Sequence, residues 1–113
     1  MSPSYVPARG DIIWMNFDPQ TGHEQRGHRP ALVLSPSSYN AKSSLAIVCP
    51  ITSQGKGYPF EIRIPTGLAV AGYVLSDQFK NVDWQARKAQ FADTLPPTEL
   101  AQVLDNARLL ISS

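Results

Sequence analysis

Acid–base and phosphate-binding side chains crowd into one stretch of this chain, Gly22-His23-Glu24-Gln25-Arg26-Gly27-His28-Arg29-Pro30. Imidazole and carboxylate groups can carry protons near neutral pH, while a guanidinium stays charged and offers a planar fork of donors to phosphate oxygens. On composition alone the stretch reads equally well as a solvated polar loop. A second stretch, Pro50-Ile51-Thr52-Ser53-Gln54-Gly55-Lys56-Gly57-Tyr58-Pro59, adds two hydroxyls, a cation and an aromatic face. Its glycines are expected to leave backbone N–H groups open to an anion. Alone it reads equally as a Gly-rich turn with Tyr58 tucked into the core. Together the two stretches supply what single-stranded RNA binding needs: cations for the backbone and aromatic faces for the bases.

Such loops need a scaffold, and the rest of the sequence describes one. The chain has 113 residues, with 42% hydrophobic and 17% charged. That is a globular composition, large enough to bury a core without staples. No repeat, linker or low-complexity tract interrupts it, so residues 1–113 read as one domain. The net charge of +1 is too small to coat a nucleic acid by charge alone, so any such site must be local. The lone Cys49 excludes an internal disulfide and a Cys/His zinc cluster, and its apolar surroundings read as a buried strand rather than a nucleophile. The first residues lack the cationic and apolar regions of a leader, and no apolar run approaches a membrane span. A cytoplasmic protein without membrane contact is expected.

Strands are expected at Ile12–Phe17, Pro30–Ser35, Leu45–Ile51, Pro59–Ile64 and Gly72–Phe79, with 82–89 continuing the sheet. Ser37–Asn40 reads as a turn or one helical turn. Pro96-Pro97-Thr98-Glu99 is a helix-start signal. After it, Leu100, Val103, Leu104, Ala107 and Ile111 recur at helical spacing. The pattern predicts a mainly β protein, a small bent barrel or sandwich, with a C-terminal helix packed on the sheet. Residues around Trp14 and along Leu45–Ile51 are apolar on both strand faces, more than one small barrel interior uses, which predicts a homodimer. Trp14 and Trp84 read equally as core or as dimer-contact residues; strand tryptophans are usually packing residues, and no function is assigned to them.

Several segments together carry a family resemblance: Gly10-Asp11-Ile12-Ile13-Trp14, Phe17-Asp18-Pro19, Gly22-His23-Glu24-Gln25, Gly27-His28-Arg29-Pro30-Ala31-Leu32-Val33-Leu34-Ser35, Pro50-Ile51-Thr52, Lys56-Gly57-Tyr58-Pro59-Phe60 and Asp77-Gln78. The chain resembles the MazF/PemK family of bacterial toxin ribonucleases, closest to the MazF branch, from about Tyr5 to Ile111. The resemblance implies an SH3-like β-barrel of the CcdB/PemK plasmid-maintenance toxin type. It also implies a homodimer that cuts single-stranded mRNA at short sequences without metal or cofactor, inhibiting translation and growth. Control by a cognate antitoxin with an acidic disordered tail is implied too, with DNA met only through that complex. Residue by residue, it assigns catalysis to Arg29, Thr52 and Glu24, and RNA contacts to Phe17, His23, His28, Lys56, Tyr58 and Gln78. Some PemK-branch relatives place a catalytic arginine where this chain has Leu75, so that arrangement is absent. Asp77 and Gln78 read equally as structural ladder residues.

RNA brings its own nucleophile, the 2′-OH. The enzyme must take that proton, stabilise a dianionic phosphorane and protonate the leaving 5′-oxygen. Arg29 suits stabilisation and Thr52 a supporting donor role. Glu24 or a histidine suits the base better than a guanidinium does. A gyrase-binding toxin of the same fold is the alternative. It is disfavoured because those relatives end in an aromatic-Gly-Ile tail and this sequence ends Leu110-Ile111-Ser112-Ser113. A non-cutting RNA-binding module would need no acid–base group beside its arginine, yet Glu24, His23 and His28 are present.

Overall fold

The computed structural model describes residues 5–16 and 28–112. Among these residues seven strands and two helices run in the order β1 (Asp11–Asn16), β2 (His28–Val33), α1 (Ser37–Ser43), β3 (Leu45–Thr52), β4 (Glu61–Arg63), β5 (Tyr73–Leu75), β6 (Lys80–Asp83), β7 (Gln90–Thr94), α2 (Pro97–Ser112). All pairings are antiparallel, in the order β4-β5-β3-β2-β1-β7, with β6 on β3. The mainly β architecture with a C-terminal helix is the expected one.

Strand β3 organises the sheet because it is long enough to serve three neighbours. Leu45–Val48 pair with β6, Val48–Pro50 with β2, and Ile51–Thr52 with β5. Strand alternation then sorts its side chains to two faces. Cys49 and Ile51 join Ile12, Leu32, Val74 and Leu95 in a core covered by Val103 and Ala107 of α2. Ala46 and Val48 join Ile13, Met15, Ala31, Val33, Val82 and Trp84 in a second core, against which Tyr5, Val6 and Ala89 pack. Both apolar faces are thus covered within one chain. The two-sided pattern does not by itself require a second copy, and the apolar groups left uncovered lie elsewhere.

Sequence and structure differ in several places. The strand expected over 59–64 shortens to Glu61–Arg63, since Glu61 N–H closes a turn onto the Tyr58 carbonyl (3.1 Å). The segment 37–40 extends to a two-turn helix, because Ser44 closes α1 in the left-handed conformation with its N–H bonded to the Asn40 carbonyl. The strand expected over 72–79 shortens to Tyr73–Leu75, since the chain turns where Gln78 N–H bonds the Leu75 carbonyl (3.0 Å). Beyond Asp83 the sheet does not continue: Arg87 and Lys88 N–H close a turn onto the Asp83 and Gln85 carbonyls, and β7 starts only at Gln90. Ile111, expected on the buried stripe of α2, is 69% exposed. The stripe that packs is Leu100, Val103, Leu104 and Ala107, and the final turn lies beyond it.

Asn40 ties the second core to the chain around it. Its amide donates to the Pro7 and Ser35 carbonyls (2.8 and 3.0 Å) and accepts from the Ser35 hydroxyl (2.6 Å). Its own carbonyl accepts from the Trp84 indole (3.0 Å). All of this is buried, where an unmet polar group is expensive. Asn40→Ala should lower stability by about 2–4 kcal/mol, read as a lower urea midpoint at unchanged slope. The Cys49 thiol, fully buried, is pushed up to about 12 by desolvation and then by the Asp77 charge, so it stays neutral. Native protein should resist thiol alkylation at pH 8 and react fully once denatured.

Candidate nucleic-acid cleft

The β2–β3 ladder stops at Ala31 opposite Pro50. The Leu34 N–H bond to the Ile47 carbonyl sets which residues of the two strands face each other, and Pro30 is the next of them on β2; having no N–H, it cannot donate the next rung. Where the rungs stop, a cleft of about 750 Å³ begins. Residues His28–Pro30 line it from β2, and Pro50–Ser53 from β3. The Ala69–Ala71 segment, Leu75, Gln78, Lys80 and Trp14 complete its walls. No carboxylate lines it among the described residues, whereas Arg29 and Lys80 do. A cleft lined this way favours an anion.

Alternation along each strand assigns the side chains. Arg29 lies on the face of Ala31, opposite Met15 of β1, and Thr52 lies on the face of Pro50. The two therefore flank the same gap from the same side of the sheet. His28 falls on the other face of β2, its ring 6.2 Å from that of Trp14 and tilted 36° to it. Thr52 Oγ1 accepts a hydrogen bond from Gln54 N–H (3.2 Å). That leaves the hydroxyl proton to be donated outward, as a phosphate oxygen would need. Gly72 lets the strands approach here: a Cβ at its φ of +130° would overlap the Thr52 carbonyl oxygen.

Of the residues expected from sequence, Arg29, Thr52, His28 and Gln78 come together in this cleft. Glu24, His23 and Phe17 lie outside the described residues. Lys56 and Tyr58 sit on the exposed loop after β3 and are not part of the cleft wall. Tyr58 is 59% exposed, so it is not a core residue. The expectation of open backbone donors in that loop needs correcting. The Glu61 carboxylate, at the start of β4, accepts from Lys56 N–H (2.9 Å) and Gly57 N–H (3.1 Å). Sequence reasoning missed Lys80 and the position of Trp14 on the cleft wall. The Asp77-Gln78 pair gave the nearest signal for Lys80, two residues on. Asp77 and Gln78 themselves occupy the β5–β6 turn rather than a ladder. Among the described residues no three His, Cys, Asp or Glu side chains gather as a metal centre would need.

Comparison with known proteins gives the family of the chain. Residues 8–111 match the family model described as PemK-like, MazF-like toxin of type II toxin–antitoxin system. The chain is 46% identical over 111 residues to the endoribonuclease toxin MazF of Escherichia coli K12, covering 98% of this chain and 99% of that one. The crystal structure of MazF from Deinococcus radiodurans superposes with a TM-score of 0.88 at 46% identity, covering 97% of this chain and all of that one. A MazE–MazF crystal structure from the same organism gives 0.87 at 42% identity, covering 96% and 97%. This protein therefore belongs to the PemK-like, MazF-like toxins of type II toxin–antitoxin systems.

Proposed function

We propose that this protein is an endoribonuclease toxin that cuts single-stranded mRNA at short sequences and thereby stops translation and growth. The observation that carries the reading is that Arg29 and Thr52 flank one cleft whose described wall bears no carboxylate. The name of its Escherichia coli relative, an endoribonuclease toxin, supports it. In this reading the protein works in the cytoplasm as a homodimer. The uncovered apolar groups Phe91, Leu109, Leu110 and Ile111 are the surface left for contacts between chains. The MazE–MazF complexes of the Deinococcus relative support a cognate antitoxin here as well, its acidic tail competing with RNA for the cleft. Among the described residues no helix is long and apolar enough to cross a membrane.

The geometry of the cleft supports the following chemistry. The 2′-OH oxygen attacks the adjacent phosphorus, the P–O5′ bond breaks, and the products carry 2′,3′-cyclic phosphate and 5′-OH ends. Arg29 offers paired donors to the phosphorane oxygens and Thr52 adds a hydroxyl donor. Gln78 and Lys80 hold the strand against β5 and β6. A base must take the 2′-OH proton and an acid must return one to O5′. His28 lies on the opposite face of β2 from Arg29 and Thr52, which favours Glu24 as base and gives His28 a wall-forming role on Trp14. Purified protein should cut single-stranded RNA in excess EDTA, spare DNA, and leave the expected cyclic ends. Strict dependence on added divalent metal would refute the metal-free reaction.

Arg29→Lys separates transition-state grip from simple attraction. Lysine keeps the charge but loses the fixed pair of donors. Losing one preorganised contact of this kind typically costs about 100- to 1000-fold in rate, about 3–4 kcal/mol. Single-turnover cutting should fall by that much, while affinity for an RNA with 2′-H at the cut position should change far less. A loss confined to binding would make Arg29 an RNA contact only.

A further inference from the structure

We propose that the cavity beside the cleft, between the Gly55–Tyr58 loop and strands β4 and β5, binds one nucleobase next to the cut bond. The proposal deepens the ribonuclease reading and rests on it. The cavity has a volume of about 240 Å³ and is lined by Gly55, Gly57, Tyr58, Glu61, Arg63 and Tyr73. Drug-sized ligands take about 300–1,000 Å³, so this space suits a single planar ring system.

Strand register ties the cavity to the cleft. Tyr73 is the Cα partner of Thr52 on one side and of Arg63 on the other. Directly paired residues share a face, with Cβ atoms about 5 Å apart. Thr52, Tyr73 and Arg63 therefore form one row across β3, β5 and β4, beginning at the cleft. A strand whose phosphate lies between Arg29 and Thr52 has its neighbouring nucleotide over that row.

The lining suits a base better than a second phosphate. Arg63 contributes one positive charge and Glu61 one negative, whereas the described wall of the cleft next door carries no carboxylate. A phosphate or an acidic peptide would meet the Glu61 carboxylate, whereas a neutral ring meets no such repulsion. The carboxylate is fixed by Lys56 and Gly57 N–H, so it braces the loop that carries Tyr58. Tyr58, 59% exposed, offers the stacking face. Tyr73 forms a rigid wall, because the loop backbone lies on its ring: a Cβ on Gly55 would come within 2.8 Å of it. The exposed Arg63 fork matches paired acceptors on a base edge, as on guanine.

The test uses RNA strands made uncleavable by 2′-H at the cut position, each abasic at one flanking position. Affinities are measured for wild type, Arg63→Ala and Tyr58→Ala. Both side chains are exposed, so neither truncation removes core packing. Wild type should lose about 5- to 150-fold at one flanking position. The same base removal should have little effect in either variant. Equal weakening of intact and abasic strands by Arg63→Ala would make it a phosphate contact and overturn the proposal. So would the absence of any position whose base matters. Cutting of unmodified RNA by wild type is scored in parallel. If wild type cuts but no base couples to Arg63 or Tyr58, the subsite alone is wrong. If it binds without cutting, the ribonuclease reading falls instead, and if it does not bind RNA, both fall.

Discussion

One missing backbone N–H group marks where the sheet of this protein opens. Pro30 cannot donate the next rung of the β2–β3 ladder, and the strands bound a cleft beyond the last pair at Ala31 and Pro50. Everything functional is arranged around that end. Because β3 is shared with β2, β5 and β6, the residues at its C-terminal end are fixed by neighbours although their own ladder to β2 has stopped. Thr52 is thus held by Tyr73 of β5 while facing open space. The requirement that Gly72 pass close to the Thr52 carbonyl belongs to the same arrangement, since a side chain there would push Thr52 out of place.

Alternation supplies the next constraint. Neighbouring residues of β2 must face opposite sides of the sheet, so His28 and Arg29 cannot both point at one phosphorus from the same direction. Their adjacency in sequence suggests a matched acid–base pair, and their places on β2 argue against it. His28 instead meets Trp14, which explains why a strand tryptophan with no evident role lines the cleft wall.

Much of this was legible from residue order. The alternating and apolar runs gave β1, β2 and β3, and the helical spacing after Pro97 gave α2. The cleft residues Arg29, Thr52, His28 and Gln78 were also marked beforehand. What escaped depended on contacts between distant segments. Glu61 is 4 or 5 residues from the N–H groups it holds, and nothing in local composition distinguishes it from an outward strand residue. Lys80 reaches the cleft only because β6 pairs with the first half of β3. The lengths of β5 and β6 were overstated because apolar content continues past the points where turn hydrogen bonds redirect the chain. The two-sided apolar pattern was read as demand for a partner, whereas α2 and the Val82–Ala89 segment cover those faces from within.

The near-neutral charge of the chain fits this division of surfaces. A net charge of +1 draws a polyanion only weakly at long range, so affinity must come from short-range fit. In the proposed reaction the cleft sets positive charge where the reacting phosphate gains charge in the transition state, which would lower the barrier there. The neighbouring cavity balances Arg63 against Glu61 and offers aromatic surface instead. Discrimination between bases comes from contacts to base edges and ring faces, not from phosphates, which are the same in every nucleotide. In the proposed reading, catalytic charge and sequence reading are therefore carried by adjacent cells of one sheet face, with Thr52 and Tyr73, cross-strand partners, at the boundary between them.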